Sequence, residues 1–220
     1  MRITKHEHAA LRVDDHGQTL LIDPGSFTLP LDGLQHLVGV VITHEHPPDH
    51  WTPEHLDRIL RDAPGTPPVF APPAGVVRAA GDGYEITEVA PGDTVTAGEF
   101  TLRFFGGVHA EIHSSIPPGS RTWACSSTTS CTTPPRLVRG AGGVAVGTLA
   151  APPAGAPWLK IGDAMDFVLA VRPPRRAFGT HDMTLSVIGA NMHRARLRWA
   201  TEQNGGEFFD LNPGGDDLEV

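Results

Sequence analysis

The chain predicts a mixed α/β domain in which sheets pack together with helices outside, and three observations carry that prediction. Short apolar or alternating runs ended by turn residues crowd the first half. One nearly continuous apolar run, "LVGVVIT" from Leu37 to Thr43, reads as a strand covered on both faces. The last third alternates a short strand with two helical stripes, an order that layers helices onto sheets. A chain of 220 residues fits a single domain, residues 1–220, with a sizeable core.

Taken in order, "HAALRV" and "TLLIDPG" predict a hairpin turned by Asp15-His16-Gly17. Beyond the Leu37 run, Thr52 and Pro53 predict an N-cap and first helical position. Leu56, Ile59 and Leu60 continue that helix to about Asp62. "PVFAPP", "YEITEVAPGDTVTAGEF" and "FTLRFFGGVHAEIH" predict further strands with turns at Pro91-Gly92 and Ala97-Gly98. Ala164, Phe167, Val168 and Val171 predict a second helix stopped by Pro173-Pro174. Leu185, Ile188, Met192, Ala195 and Trp199 predict the apolar stripe of a third, ending near Asn204-Gly205, and between these two helices a short strand carries His181. The exception is about 114–157, an irregular segment with no Asp, Glu or Lys and no clear period, although so long a structureless loop is unusual in a compact domain.

Composition excludes several classes. The net charge of -8 argues against a nucleic-acid binder working through a basic surface. Apolar runs fall short of a membrane span, so the expectation is a cytoplasmic protein with a small-molecule substrate and no membrane partner. Cys125 and Cys131 lack metal-type spacing, and a disulfide is not expected in the cytosol. Arg, Gly, Ala and Pro are abundant while only Lys5 and Lys160 represent lysine, the bias of a GC-rich gene.

The chemistry concentrates in "VVITHEHPPDHW", where His44, His46, Asp49 and His50 fall within seven positions after a strand. Residues two apart on a strand end point the same way, so His44 and His46 can reach one metal ion. Neutral imidazoles suit zinc, and the Asp49-His50 pair can serve a second ion. Two neighbouring metals can share a hydroxide, a nucleophile at neutral pH.

"THEHPPDHW" resembles the H-x-H-x-D-H motif of the metallo-β-lactamase superfamily, whose fold is a four-layer αββα sandwich. "TKHEHAALRV", "TLLIDPG", "FFGGVHAEIH", "APWLKIGDAMDF" and "AFGTHD" resemble its bacterial branch of ascorbate-6-phosphate lactonase-like proteins. The resemblance implies that His109 joins His44 and His46 at one metal, and that His181 joins Asp49 and His50 at the other. It also makes Asp49 both ligand and proton handler. Asp23 reads as a turn-forming or ligand-orienting carboxylate. His8 and His113 stay open between orienting ligands or substrate and occupying plain surface or strand positions.

Two departures stand against the family pattern. Pro47 and Pro48 occupy a gap where the family has one residue, which turns Asp49 and His50 relative to His44 and His46. The first site is therefore expected to survive better than the second. The family's bridging Asp, from a His-Pro-Gly-Asp-Ser stretch, is also missing, because residues of about 117–143 depart from the family there. Back-translated with GC-rich codons, Ala124 to Pro134 reads in a neighbouring frame as Gly-Val-Leu-Val-Asp-Asp-Glu-Leu-Tyr-His-Pro, and Arg136 to Gly142 in the remaining frame as Asp-Ser-Phe-Val-Val-Pro-Gly. That predicts frameshifts re-entering frame near Val144, which the nucleotide sequence would test.

The resulting expectation is a hydrolase holding one or two Zn2+ ions, with Mn2+ or Fe2+ as substitutes. A metal-bound hydroxide would act on a lactone, another ester or a phosphodiester. The alternative is an impaired or inactive relic, or a binding protein, that keeps the fold without the bridging Asp. A structural single-zinc protein is a third reading, weakened by the lack of Cys ligands.

Overall fold

Period-two alternation along the strands sorts the chain into layers. In the computed structural model, which describes residues 1–44, 48–72, 84–108, 121–127, 130–132, 146–152, 159–171, 175–203 and 205–220, two sheets of seven strands emerge. The first has the order β14-β1-β2-β3-β4-β5-β6. Its strands are β1 (Arg2–Lys5), β2 (Leu11–Asp15), β3 (Gln18–Ile22), β4 (Leu37–Val41), β5 (Val69–Ala71), β6 (Ile86–Glu88) and β14 (Asp216–Glu219). The second has the order β13-β12-β11-β10-β9-β8-β7. It comprises β7 (Thr94–Ala97), β8 (Phe100–Val108), β9 (Arg121–Ser127), β10 (Ser130–Thr132), β11 (Thr148–Ala151), β12 (Arg176–Gly179) and β13 (Glu207–Phe209).

Leu20, Ile22, Val41 and Phe70 from the first sheet pack with Leu102, Phe104, Ala150 and Phe178 from the second, forming the core between the sheets. Their neighbours point the other way. Leu21, Val40, Ile42, Val69 and Ala71 meet Trp51, Leu56 and Ile59 of helix α1 (Pro53–Asp62) and the residues leading into it. Phe105, Leu149, Ala151 and Ala177 meet helices α2 (Ile161–Ala170) and α3 (Val187–Gln203). The result is helix, sheet, sheet, helix, the αββα order expected.

Local signals explain the elements that lead to the site. The β2–β3 hairpin closes through His16 and Gly17, both with left-handed φ (48° and 75°), as a tight two-residue turn requires. α1 starts where Thr52 Oγ1 accepts the His55 N–H at 3.2 Å, with Pro53 just inside. β3 and β4 run parallel, so their ends deliver Asp23 and the 42–44 stretch to the same edge.

Two expectations are corrected. The stripe read as the buried face of α3 is its exposed face: Ile188 is 75% exposed, Met192 63% and Trp199 48%. Ala190, Leu197, Ala200 and Thr201 are buried instead, because small residues let this helix sit close against β12, β13 and α2. The segment read as irregular from about 114 to 157 contains β9, β10 and β11. β9 pairs antiparallel with β8 and β10, and β10 pairs parallel with β11. Ladder pairing with neighbours overrides the weak propensity of a Ser/Thr-rich sequence.

Candidate metal centre

The site forms where loops from both sheets meet. Asp49 Oδ2 lies 3.3 Å from His181 Nε2, 3.7 Å from His8 Nε2 and 3.7 Å from His50 Nε2. His8, Asp49 and His181 each offer a ligand atom within 4.8 Å of the others. The His50 and His181 rings have centroids 5.1 Å apart, as do those of His44 and His50. His8 and His181 are closer still, at 3.8 Å. Asp49, His50 and His181 thus converge despite the doubled proline. His44 is buried beside them, while His46, Pro47, His109 and His113 lie outside the described residues, so the first three-histidine set cannot be assembled from them.

The 48–49 backbone is seated by the turn after β3. Ser26 N–H donates to the Pro48 carbonyl at 2.9 Å, and Ser26 Oγ donates to it at 3.2 Å. Gly25 lies so near that a Cβ there would stand 2.1 Å from the Asp49 carbonyl oxygen. Only glycine permits that approach.

Asp23 is taken up by contacts with Thr43 and His50. Its Oδ1 accepts the Thr43 N–H at 2.7 Å, its Oδ2 accepts the Thr43 hydroxyl at 2.5 Å, and His50 Nδ1 lies 3.0 Å from Oδ2. A carboxylate on Nδ1 keeps a proton there and turns Nε2 of His50 toward Asp49 and the site, so that Nε2 is the nitrogen left for a metal, the arrangement usual for metal-bound histidine. The site tunes its charges strongly. Burial pushes the Asp49 carboxyl up, but His181, His8 and His50 outweigh it and hold the group far below the ordinary carboxylate range. Burial lowers the His181 imidazole to about 4, against the attraction of Asp49. Burial opposes charge on His50 too, yet the Asp23 and Asp49 carboxylates raise it overall.

A buried ion cluster supports the C-terminal side. Lys5, fully buried on β1, places Nζ 3.1 Å from Asp182 Oδ1, while Arg194 Nη2 of α3 meets Asp182 Oδ2 at 2.5 Å. Asp182 follows His181, whose N–H donates to the His8 carbonyl at 2.6 Å; the Thr180 hydroxyl donates to that carbonyl at 3.1 Å. The two sheets are therefore pinned together at the histidines. His8, Asp23 and His181 all adopt left-handed φ (55°, 48° and 60°), a costly conformation outside glycine that concentrates at functional sites.

The sequence reading ranked His8 low and missed Lys5, Thr43, Gly25 and Asp182. One signal was available: on β1, Ile3 and Lys5 share a face, so a lysine stands where alternation calls for an apolar residue.

The donor set fits a divalent metal: a carboxylate held anionic, two imidazoles beside it, one of them carboxylate-oriented. Comparison with known proteins points the same way. The family model described as "Beta-lactamase superfamily domain" matches residues 2–131. Protein Rv0786c of Mycobacterium tuberculosis is 36% identical over 201 residues, covering 90% of this chain and 91% of that protein. Igni18, a metallo hydrolase from the archaeon Ignicoccus hospitalis, superposes with a TM-score of 0.71 at 17% identity, over 100% of this chain and 98% of its own. CmlA, a diiron beta-hydroxylase from Streptomyces venezuelae, superposes with a TM-score of 0.71 at 15% identity, and this chain spans 54% of its length. At those identities the two structures speak for the fold alone. On the matched family model, the 36% identical relative and the shared architecture, the chain belongs to the metallo-β-lactamase superfamily.

Proposed function

We propose that the protein is a metal-dependent hydrolase of lactones or other esters, or of phosphodiesters, close in type to the ascorbate-6-phosphate lactonase-like branch. The observation that carries this reading is the convergence of Asp49, His50 and His181, with His50 oriented by Asp23. Asp49, His50 and His181 would hold one ion; His44, with His46 and His109, would hold the other. Zinc suits these nitrogen and oxygen donors, and iron and manganese are the substitutes to compare. When bound, the metal would acidify a water and polarise the substrate carbonyl or phosphoryl group.

The chain's own groups do the rest. Asp49, kept anionic by its imidazole neighbours, would accept a hydrogen bond from an attacking water and orient it, and would handle its proton only once a bound metal changes the balance of charge around it. Asp23 fixes the ring of His50, and Lys5 with Arg194 fixes Asp182 and hence the loop bearing His181. A small-molecule substrate and a cytoplasmic setting belong to the same reading.

The inactive-relic reading rests on one feature, the acid-free stretch of 114–157 where the family's bridging Asp would fall. Metal analysis of the purified protein separates the two. One or two ions per chain, with turnover of a lactone, ester or phosphodiester panel, supports the hydrolase; no metal and no turnover, even after restoration of the Asp segment, refutes it.

A further inference from the structure

His8 and His50 both bring Nε2 toward Asp49 at 3.7 Å, yet their opposite nitrogens are held in opposite ways. His50 Nδ1 faces the Asp23 carboxylate, an acceptor, so Nδ1 keeps a proton and Nε2 is the nitrogen left for a metal. His8 Nδ1 instead accepts the Met183 backbone N–H at 3.3 Å. A neutral imidazole that accepts at Nδ1 carries its proton on Nε2. Nε2–H cannot ligate a metal. It is a donor, and among the described residues it has no hydrogen-bond partner although it is fully buried.

We infer that His8 is not a metal ligand but a hydrogen-bond donor aimed at a substrate oxygen beside the metal centre. This assignment rests on the hydrolase reading above. Three features hold the ring in that role. The His8 carbonyl is clamped by His181 N–H and the Thr180 hydroxyl, which fixes the residue in its left-handed conformation. The Phe27 ring meets it edge-on with centroids 5.0 Å apart. The His181 ring tilts across it at 3.8 Å. The acceptor that Nε2–H faces, Asp49 Oδ2 at 3.7 Å, is beyond hydrogen-bond distance, and a buried donor left so is costly in the resting protein. An oxygen that gains negative charge during acyl or phosphoryl transfer satisfies it, in surroundings where such a bond is strong. Because the donor is already in place, it needs no rearrangement as the charge develops.

The test begins with the metal-free wild-type protein. Two-bond 1H–15N correlation spectra near pH 8 report which imidazole nitrogen of His8 is protonated. The expected pattern for His8 is Nε2–H with an unprotonated Nδ1, and addition of Zn2+ shifts the nitrogens of His50 and His181 but leaves those of His8 in place. Metal stoichiometry follows: His8→Ala keeps the wild-type equivalents of zinc, while His181→Ala loses affinity at least 10-fold. On an ester substrate, His8→Ala lowers kcat by about 10²-fold with little change in KM. An Nδ1–H pattern for His8, a zinc-induced shift of His8 Nε2, or a loss of zinc in His8→Ala overturns the assignment. The spectra on metal-free protein do so independently of whether any substrate is turned over, so failure of the hydrolase reading remains distinguishable.

Discussion

Replacing Gly25 by alanine isolates the contact that seats the loop bearing Asp49 and His50. The added methyl would stand 2.1 Å from the Asp49 carbonyl oxygen, 2.4 Å from its carbonyl carbon and 2.8 Å from the Pro48 oxygen. All three atoms are backbone, so no side chain can swing away, and the 48–49 peptide must retreat by roughly 1.4 Å to reach van der Waals distance. Overpacking of this kind costs about 1–3 kcal/mol. The retreat also pulls the Pro48 carbonyl off Ser26 N–H, now 2.9 Å away, at about 1 kcal/mol more. The expected loss is therefore about 2–4 kcal/mol, or about 4–16 °C in Tm for a domain of this size. Asp49 moves with its backbone, so zinc affinity should fall about 10-fold or more. Gly162 supplies the control: it lies on α2 with nothing within 4 Å of its Cβ position. Alanine there should stabilise by about 0.5–1 kcal/mol. Urea unfolding and chelator-competition titration of both variants read the two effects. If Gly25→Ala matches wild type in unfolding midpoint and in zinc affinity, the close approach of the two loops is wrong.

Three further substitutions probe separate links. Asp23→Asn is near-isosteric but weakens the anchor of Thr43 and His50, and should cost about 1–3 kcal/mol in denaturant unfolding and about 10–100-fold in zinc affinity; an unchanged affinity would remove Asp23 from the orienting role. Lys5→Met leaves Asp182 with Arg194 alone and should destabilise by about 3–5 kcal/mol. A double-mutant cycle with Asp182→Asn should show coupling above about 0.5 kcal/mol, and strict additivity would argue against the ion pair. Leu197→Ala should cost about 2–5 kcal/mol and Ile188→Ala no more than about 0.5 kcal/mol; the reverse ranking in thermal unfolding would restore the apolar stripe of α3 to the core.

Most of the fold was legible because its signals are local. The hairpin at His16-Gly17, the Thr52-Pro53 helix start and the covered strand from Leu37 are each set by residues adjacent in sequence. The α3 stripe misled because periodicity fixes that a helix has two faces, while the choice between them depends on what it packs against. There, Ala190 and Ala200 permit close approach and Ile188 and Met192 do not supply it. The Ser/Thr-rich residues of β9 and β10 carry weak intrinsic signal, and their strand character comes from partners on β8 and β11. At the site, the Asp49-His50 pair announced itself through ligand crowding and family likeness. Lys5 and Asp182 did not, since a buried ion pair between positions 177 apart leaves no periodic trace. The sequence pattern sets the doubled proline against Asp49, but what lets the 48–49 backbone sit where it does is the glycine after Asp23-Pro24, whose close approach no periodicity announces.

The pinning of His8 to His181 has a consequence for the order of events during folding. These residues are far apart in sequence, joined by bonds that exist only once β1 and β12 are in place and the sheets have docked. The first and last strands also pair with each other, and Val220 N–H donates to the Met1 carbonyl. Such contacts close the largest loops the chain can make and form late. A metal site that needs His181 beside Asp49 would be completed only after the sheets have docked, and an ion bound there would add to native stability by mass action.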